Sequence, residues 1–363
     1  MHLIFSLMNS IQRYLFPHIE SELGPLTEKE KEFVRMAELA GIGRHINRNR
    51  WCGNGRKPHS RESIALAFLA KSHWNIPTTL ALIDYLKANR NLQRLCGWES
   101  TGEIPSSPTF SRTFAEFSQE RLAERVHGSM LAVAMEGNLS CHGSIDSAQI
   151  EAREKAVGKP KEGKSKEKKK PGPKKGQKRK EKHPTRLDLQ PWRTLEENLF
   201  DLPAVCDYGV KRNSKGFMQG WKGYKLHLLI VDGGIPAGAI LTSASVHDSQ
   251  VAIPLMQMAQ ERLVHFYDLG DAAYDAEQIK EYSLSQGRVP VIDANRRSGE
   301  KPEMCPAKKT RYKERTTVER AFSNLKDNYG GRFIRVKGAA KVMAHLMFGV
   351  LALTAMQLIR MLE

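Results

Sequence analysis

Downstream of residue 220 the chain alternates between apolar runs too short for helices and longer stretches of helical period. Residues 224–231 and 236–246 read as two strands of a hairpin that turns at Asp232-Gly233-Gly234. A helix over about 250–262 follows, opened by His247-Asp248-Ser249, with Asp248 read either as its cap or as a catalytic acid. Residues 263–269 form the next strand, ending at Gly270-Asp271. The pattern continues with a helix over 275–286, where Asp275 suits the N-cap, and a strand over 289–293 that ends at Asp293. Upstream, residues 142–148 are a short run bearing a Gly and read as the first strand. Such an alternation permits an α/β layer structure and excludes a helical bundle or a β-sandwich for this part of the chain.

This is the element order of an RNase H-like fold, with a mixed five-stranded sheet in which antiparallel strands are followed by alternating helices and strands. In that fold the first and fourth strands are neighbours. An acid on the first, Asp146, and one at the end of the fourth, Asp271, then come together, and Glu319 on the last helix reaches them. Crowded carboxylates repel one another and raise their own pKa values. Divalent cations relieve this, and oxygen ligands suit Mg²⁺ or Mn²⁺. Two such ions can serve in-line displacement at phosphorus, with Asp146 bridging them and Asp271 and Glu319 each serving one. Three acids at free spacing are common in a chain of 363 residues, so the triple needs support from its neighbours.

Residues 312–326 supply it. No Gly or Pro interrupts them, and Val318, Ala321, Phe322 and Leu325 recur at helical spacing. Arg315, Glu319 and Lys326 fall within roughly 40° of one another beside that apolar stripe. One edge of a half-buried helix therefore presents base, acid, base. An Arg–Glu pair at i, i+4 also reads as a solvated salt bridge worth a few tenths of a kcal/mol.

The spacing of Tyr312, Arg315, Glu319 and Lys326 resembles the Y-R-E-K signature of DDE-type insertion-sequence transposases at all four positions. The run Leu-Gly-Asp-Ala-Ala-Tyr-Asp around Asp271 resembles that family's second-aspartate motif, with Ala273 where Gly is usual. Val246-His247-Asp248-Ser249 and Ser-Pro-Thr-Phe-Ser-Arg at 107–112 are similar to further family segments. The resemblance extends from about residue 30 onward. It implies a DNA transposase that cleaves the element's ends and transfers the strand into target DNA through Asp146, Asp271 and Glu319. It also implies that Tyr312, Arg315 and Lys326 contact the phosphates of the transposon end, and that the protein works as a dimer on double-stranded DNA. Tyr312 also reads as a core aromatic with a wet hydroxyl.

The rest of the chain fits such a partner. The formal charge of +17 points to a polyanion. Residues 158–183 hold 13 Lys or Arg against three Glu, with recurring Gly and Pro and no aromatics, within a basic insertion over 151–200. That composition forms no packed core. Lys168, Lys169, Lys170, Lys174, Lys175 and Arg179 are candidate DNA contacts there, although a block of like charge is also simply solvated. Residues 26–136 are helical and read as a DNA-binding domain or a plain bundle. Ser107 is the expected N-cap of a helix carrying Phe110, Phe114 and Phe117 on one face. Residues 1–25 form an amphipathic segment, and the catalytic domain spans 137–363.

Five scattered cysteines, Cys52, Cys96, Cys141, Cys206 and Cys305, argue for a reducing compartment and against a zinc site. No secretory signal is expected at the N-terminus, so the protein is placed in the cytoplasm. The apolar stretch 342–358, within a closing segment 339–363, reads as a buried helix in preference to a membrane anchor. Two other functions stay open: an RNase H-like nuclease without strand transfer, and a non-enzymatic basic nucleic-acid-binding protein.

Overall fold

A computed structural model of the chain describes residues 2–46, 52–55, 57–157, 183–212, 216–295 and 302–362. The helical half begins with His2–Ser10 and Phe16–Leu23, joined through a wide turn at Ile11–Leu15. Ile11 and Phe16 pack with Leu26 and Val34 in a small separate cluster, which docks this segment on the next helix. That helix, α1 (Glu28–Ala40), starts where Thr27 and Glu30 cap each other's backbone amides. It is followed by α2 (Arg61–His73), α3 (Thr79–Ala88), α4 (Ser107–Gln119) and α5 (Leu122–Met135). Phe110, Phe114 and Phe117 of α4 are all buried, as their shared face requires. The cap of α4 is Ser106, not Ser107, which becomes the first helical residue ahead of Pro108.

The other half is one mixed sheet. Its strands are β1 (Leu139–Glu151), β2 (Asp207–Arg212), β3 (Met218–Val231), β4 (Ile235–Ser243), β5 (Val264–Gly270) and β6 (Val289–Ile292). The path runs β2-β3-β1-β5-β6, and β4 also pairs with β3. β3 is antiparallel to β1, β2 and β4, whereas β5 is parallel to β1 and to β6. The five expected strands are present, and β2 makes a sixth. β2 escapes the hydrophobic pattern because Tyr208 and Val210 are exposed; a full ladder to β3 holds it in the sheet. The β3–β4 turn uses Gly233 and Gly234 at φ 76° and 73°, a region other residues rarely enter. Asp232 of that turn accepts the amide hydrogens of Cys141 and His142, at 2.5 and 3.0 Å, and so ties the hairpin to the start of β1.

Helix α6 (Ser249–Gln260) packs against β3 and β4, and α7 (Glu277–Ser285) against β6. Ala276 precedes α7 as its cap, without a side-chain bond; Asp275 instead accepts the Lys280 ammonium and the Asn295 amide. Beneath β5, the buried carboxylate of Asp268 accepts from His265, Ser283 and Arg288 at 2.7, 2.7 and 2.8 Å, which fixes the strand to α7 and the start of β6.

The expected helix over 312–326 comes in pieces. A helix over Pro306–Tyr312 tightens into a 3-10 turn at Lys313–Arg315 before α8 (Thr316–Asn328). Val318, Ala321, Phe322 and Leu325 of α8 are buried against β1 and β3. The last helix, α9 (Ala339–Arg360), is long and apolar enough to cross a membrane, yet 83% of its most apolar window lies inside the protein. It is wrapped by α1, α2, α4 and α5 on one side and β4 on the other, so a single core joins the helical half to the sheet. Its buried Thr354 lies 3.1 Å from the His127 imidazole of α5, a polar contact inside that apolar seam.

Candidate active site

β1 and β5 set the first two acids. Ser144 pairs with Leu269 in the parallel ladder, and two residues further on each chain stand Asp146 and Asp271. Asp271 lies just past the end of β5, where its carboxylate accepts the Ala273 amide at 2.9 Å and starts a tight turn over Ala272–Tyr274. Asp146 accepts its neighbour's amide, Ser147 N–H, at 2.7 Å. Burial raises the Asp146 pKa to about 6, the charge of Asp271 adds to the rise, and the Ser147 amide, Arg315 and Lys211 work against it. The two aspartates therefore feel each other directly.

Glu319 reaches the pair through Arg315. The guanidinium donates to Asp146 Oδ2 at 3.5 Å and, through its other terminal nitrogen, in a short hydrogen bond to Glu319 Oε1. Tyr312 covers the same guanidinium, its ring centroid 5.9 Å from Arg315 Cζ. The i, i+4 salt bridge between Arg315 and Glu319 is present; Arg315 is 18% exposed and turned towards Asp146, whereas Glu319 keeps 51% of its side chain in solvent. Among the described residues no group of three His, Cys, Asp or Glu side chains stands in a metal-holding arrangement. Arg315 instead stands between Asp146 and Glu319 as their shared positive charge.

Lys326 lies further along α8 and half-buried. Burial lowers its pKa, and the charges of Arg332 and Lys211 lower it further. Lys211, on β2, also acts on Asp146. So Lys211, Lys326 and Arg332 form a basic border beside the acids. Lys168, Lys169, Lys170, Lys174, Lys175 and Arg179 lie outside the described residues.

One residue of this neighbourhood was left by the sequence between cap and catalytic acid, and another escaped it. Asp248 makes no capping bond; its carboxylate accepts the Lys225 ammonium at 2.9 Å. Burial works to raise its pKa, but His227 and Lys225 hold it below the usual value. Lys225, a charge inside an otherwise apolar strand, was the available signal for that pair. The one that escaped is Tyr274, a buried phenol whose pKa is raised by burial first and then by the charges of Asp248, Asp146 and Asp271.

Residues 137–355 match the family model of the transposase DDE domain, and residues 25–116 match that of a second transposase domain (DUF772). No curated protein and no solved structure matches the chain. The first match covers more than half of the chain and takes in β1, the end of β5 and α8, on which the three acids stand. The chain belongs to the DDE-domain transposases.

Proposed function

We propose that this transposase cleaves DNA at the ends of its element and joins the freed 3′ ends to target DNA, through Asp146, Asp271 and Glu319. The observation that supports this reading is that Asp146 on β1 and Asp271, just past the end of β5, each stand two residues beyond the paired Ser144 and Leu269, with Arg315 bonded to both Asp146 and Glu319. The residues suit divalent cations. All three donors are carboxylates, the choice of hard ions such as Mg²⁺ or Mn²⁺. Asp146 is moreover raised in pKa, by burial first and by the charge of Asp271 as well, and a bound cation would favour its charged form. When bound, such ions stabilise charge on the attacking and leaving oxygens of an in-line displacement at phosphorus.

The protein groups have their own parts. Arg315 exchanges its carboxylate partners for a phosphate of the incoming strand, a bidentate geometry that guanidinium suits. Tyr312 keeps the guanidinium from swinging freely. Lys326 and Lys211 hold phosphates on the side of α8 and β2, and the basic stretch 151–200 extends that grip by counterion release. The helical region 26–136 would then bind the element's end, and a dimer would bring two ends together.

The test uses DNA carrying the element's ends, incubated with Mg²⁺ and the parent protein, Asp146→Ala, Asp271→Ala or Glu319→Ala. Joined product from the parent alone supports the reading. Cut but never joined DNA would reduce it to a nuclease, and unchanged chemistry in all three variants would remove these residues from the site.

A further inference from the structure

Arg311 Cζ stands 4.0 Å from the centroid of the Tyr267 ring, the shortest cation–aromatic distance among the described residues. Arg315, four residues further on, is bonded to two carboxylates. Arg311 forms no ion pair among the described residues. An arginine stacked on an aromatic face keeps its charge, and its planar fork of donors is held in one orientation. Arg311 and Tyr267 are both partly exposed, so a ligand reaches that fork from solvent. The helix over Pro306–Tyr312 also carries Lys308 and Lys309, both exposed, and no acid. That chemistry fits a phosphate backbone.

The position of Arg311 relative to the acids follows from register. Tyr267 pairs with His142 in the ladder between β5 and β1, and their ring centroids are 5.7 Å apart, so the two rings share a face. His142 and Asp146 stand four residues apart on β1, and an even spacing keeps them on one face as well. Arg311 therefore lies over the sheet face that carries Asp146. The chain stays helical from Pro306 to Asn328, through the tightened turn at Lys313–Arg315. Along that single path Arg311 comes about one turn before Arg315, and Lys326 about two turns after Glu319. The acids and the arginine between them are flanked by Arg311 on one side and Lys326 on the other.

We infer that Arg311, held on Tyr267, binds a backbone phosphate of DNA lying beyond the cleavage point, outside the element. The inference rests on the proposed cleavage at the acids and adds a subsite to it. A strand whose scissile phosphate sits at Asp146 and Asp271 continues in both directions. Lys326 and Lys211 take the element's end on one side, and the other direction runs past Arg311. That DNA is the donor flank before cutting and the target at joining, and both offer the same phosphate chemistry. Arg311 binds it without giving up a carboxylate, whereas Arg315 must break two ion pairs to do so.

The experiment uses the full-length protein and two duplexes carrying the element's terminal sequence. One duplex stops at the cleavage position, and the other continues through two helical turns of flank. Binding is read by fluorescence anisotropy without divalent ions, for the parent, Arg311→Ala, Arg311→Lys and Lys326→Ala. Joining of the pre-cut end to plasmid DNA is then read with Mg²⁺. Arg311→Ala is expected to bind the pre-cut duplex within about twofold of the parent and the flanked duplex about tenfold more weakly. Its slope of log affinity against log salt should fall by about 1 on the flanked duplex alone. Arg311→Lys keeps the charge and should recover part of the loss, whereas Lys326→Ala should weaken binding to both duplexes. A loss confined to the flanked duplex supports the inference and names the donor flank; a loss confined to joining supports it and names the target. Equal weakening on both duplexes places Arg311 on the element's end and overturns the inference, as does parental behaviour on every substrate. A lowered melting midpoint without this selectivity marks the stack as a brace and overturns it too. If the parent still joins ends, those failures leave the proposed cleavage site standing. A parent that neither cuts nor joins brings down the site and this inference together.

Discussion

Asp146 and Asp271 occupy equivalent positions on two parallel neighbours, each two residues beyond the Ser144–Leu269 pair that joins β1 to β5. Their side chains are separated by 125 residues of chain and brought together by one ladder. The consequence is electrostatic: the charge of Asp271 adds to burial in raising the Asp146 pKa, and Arg315 and Lys211 oppose the rise.

That arrangement costs stability in a predictable pH range. The Asp146 pKa rises from 3.8 to about 6 on folding, through burial first. Between those values the folded protein keeps the proton and the unfolded chain releases it, so stability falls as pH rises through this window and stays lower above it. A rise of that size sets an upper limit of about 3 kcal/mol. Asp146→Asn is expected to abolish ion binding yet stabilise the ion-free protein at pH 8 by about 1–2 kcal/mol, with little gain at pH 4. Urea denaturation of both proteins at the two pH values checks the sign.

Arg315 couples the two ligands. In the free protein it neutralises Asp146 and Glu319. DNA phosphate that draws it away should tighten cation binding, and the cation should tighten DNA binding by the same factor, on the order of tenfold. Arg315→Gln is expected to bind Mn²⁺ more tightly than the parent without DNA, to bind DNA less tightly, and to lose most of the coupling. Mn²⁺ titrations with and without an end-bearing duplex measure all three.

Lys211 acts on Asp146 and Lys326, and Lys326 feels Asp327 and Glu151 without a close ion pair among the described residues. Replacing either with Ala should weaken binding to end and unrelated duplexes alike. Each change should also reduce the slope of log affinity against log salt by about 1. A variant that alters only the preference for the end sequence would assign that lysine to base recognition.

Gly349 of α9 crosses the end of α8 closely: an added Cβ would sit 2.5 Å from the Tyr329 carbonyl oxygen and 2.9 Å from Leu325 Cδ1. Gly349→Ala must therefore push the two helices apart. The better helix propensity of Ala returns no more than about 1 kcal/mol, while overpacking costs about 1–3 kcal/mol. A lower denaturation midpoint is expected, together with reduced cleavage, because α8 carries Glu319.

Short-range physics was readable from residue order. Alternating apolar runs, the Gly-Gly turn of the β3–β4 hairpin and the helical spacing of Val318, Ala321, Phe322 and Leu325 all concern neighbours a few positions apart, and each appears where periodicity puts it. The 312–326 helix was legible except for its tightening at 313–315, which leaves the apolar stripe of α8 intact. Asp146 and Asp271 were candidates because element order puts two strands side by side, and Glu319 because the spacing of Tyr312, Arg315, Glu319 and Lys326 resembles a family signature.

Folding in three dimensions decided the partners. Whether Arg315 faces water or Asp146, whether Asp248 caps α6 or binds Lys225, and what surrounds the Tyr274 hydroxyl depend on register between strands and on a helix laid across them. Those contacts join residues 23 to 169 positions apart. A linear pattern of hydrophobicity records which face a side chain takes, whereas the identity of the group opposite it emerges only when the sheet closes and charge must be matched within it.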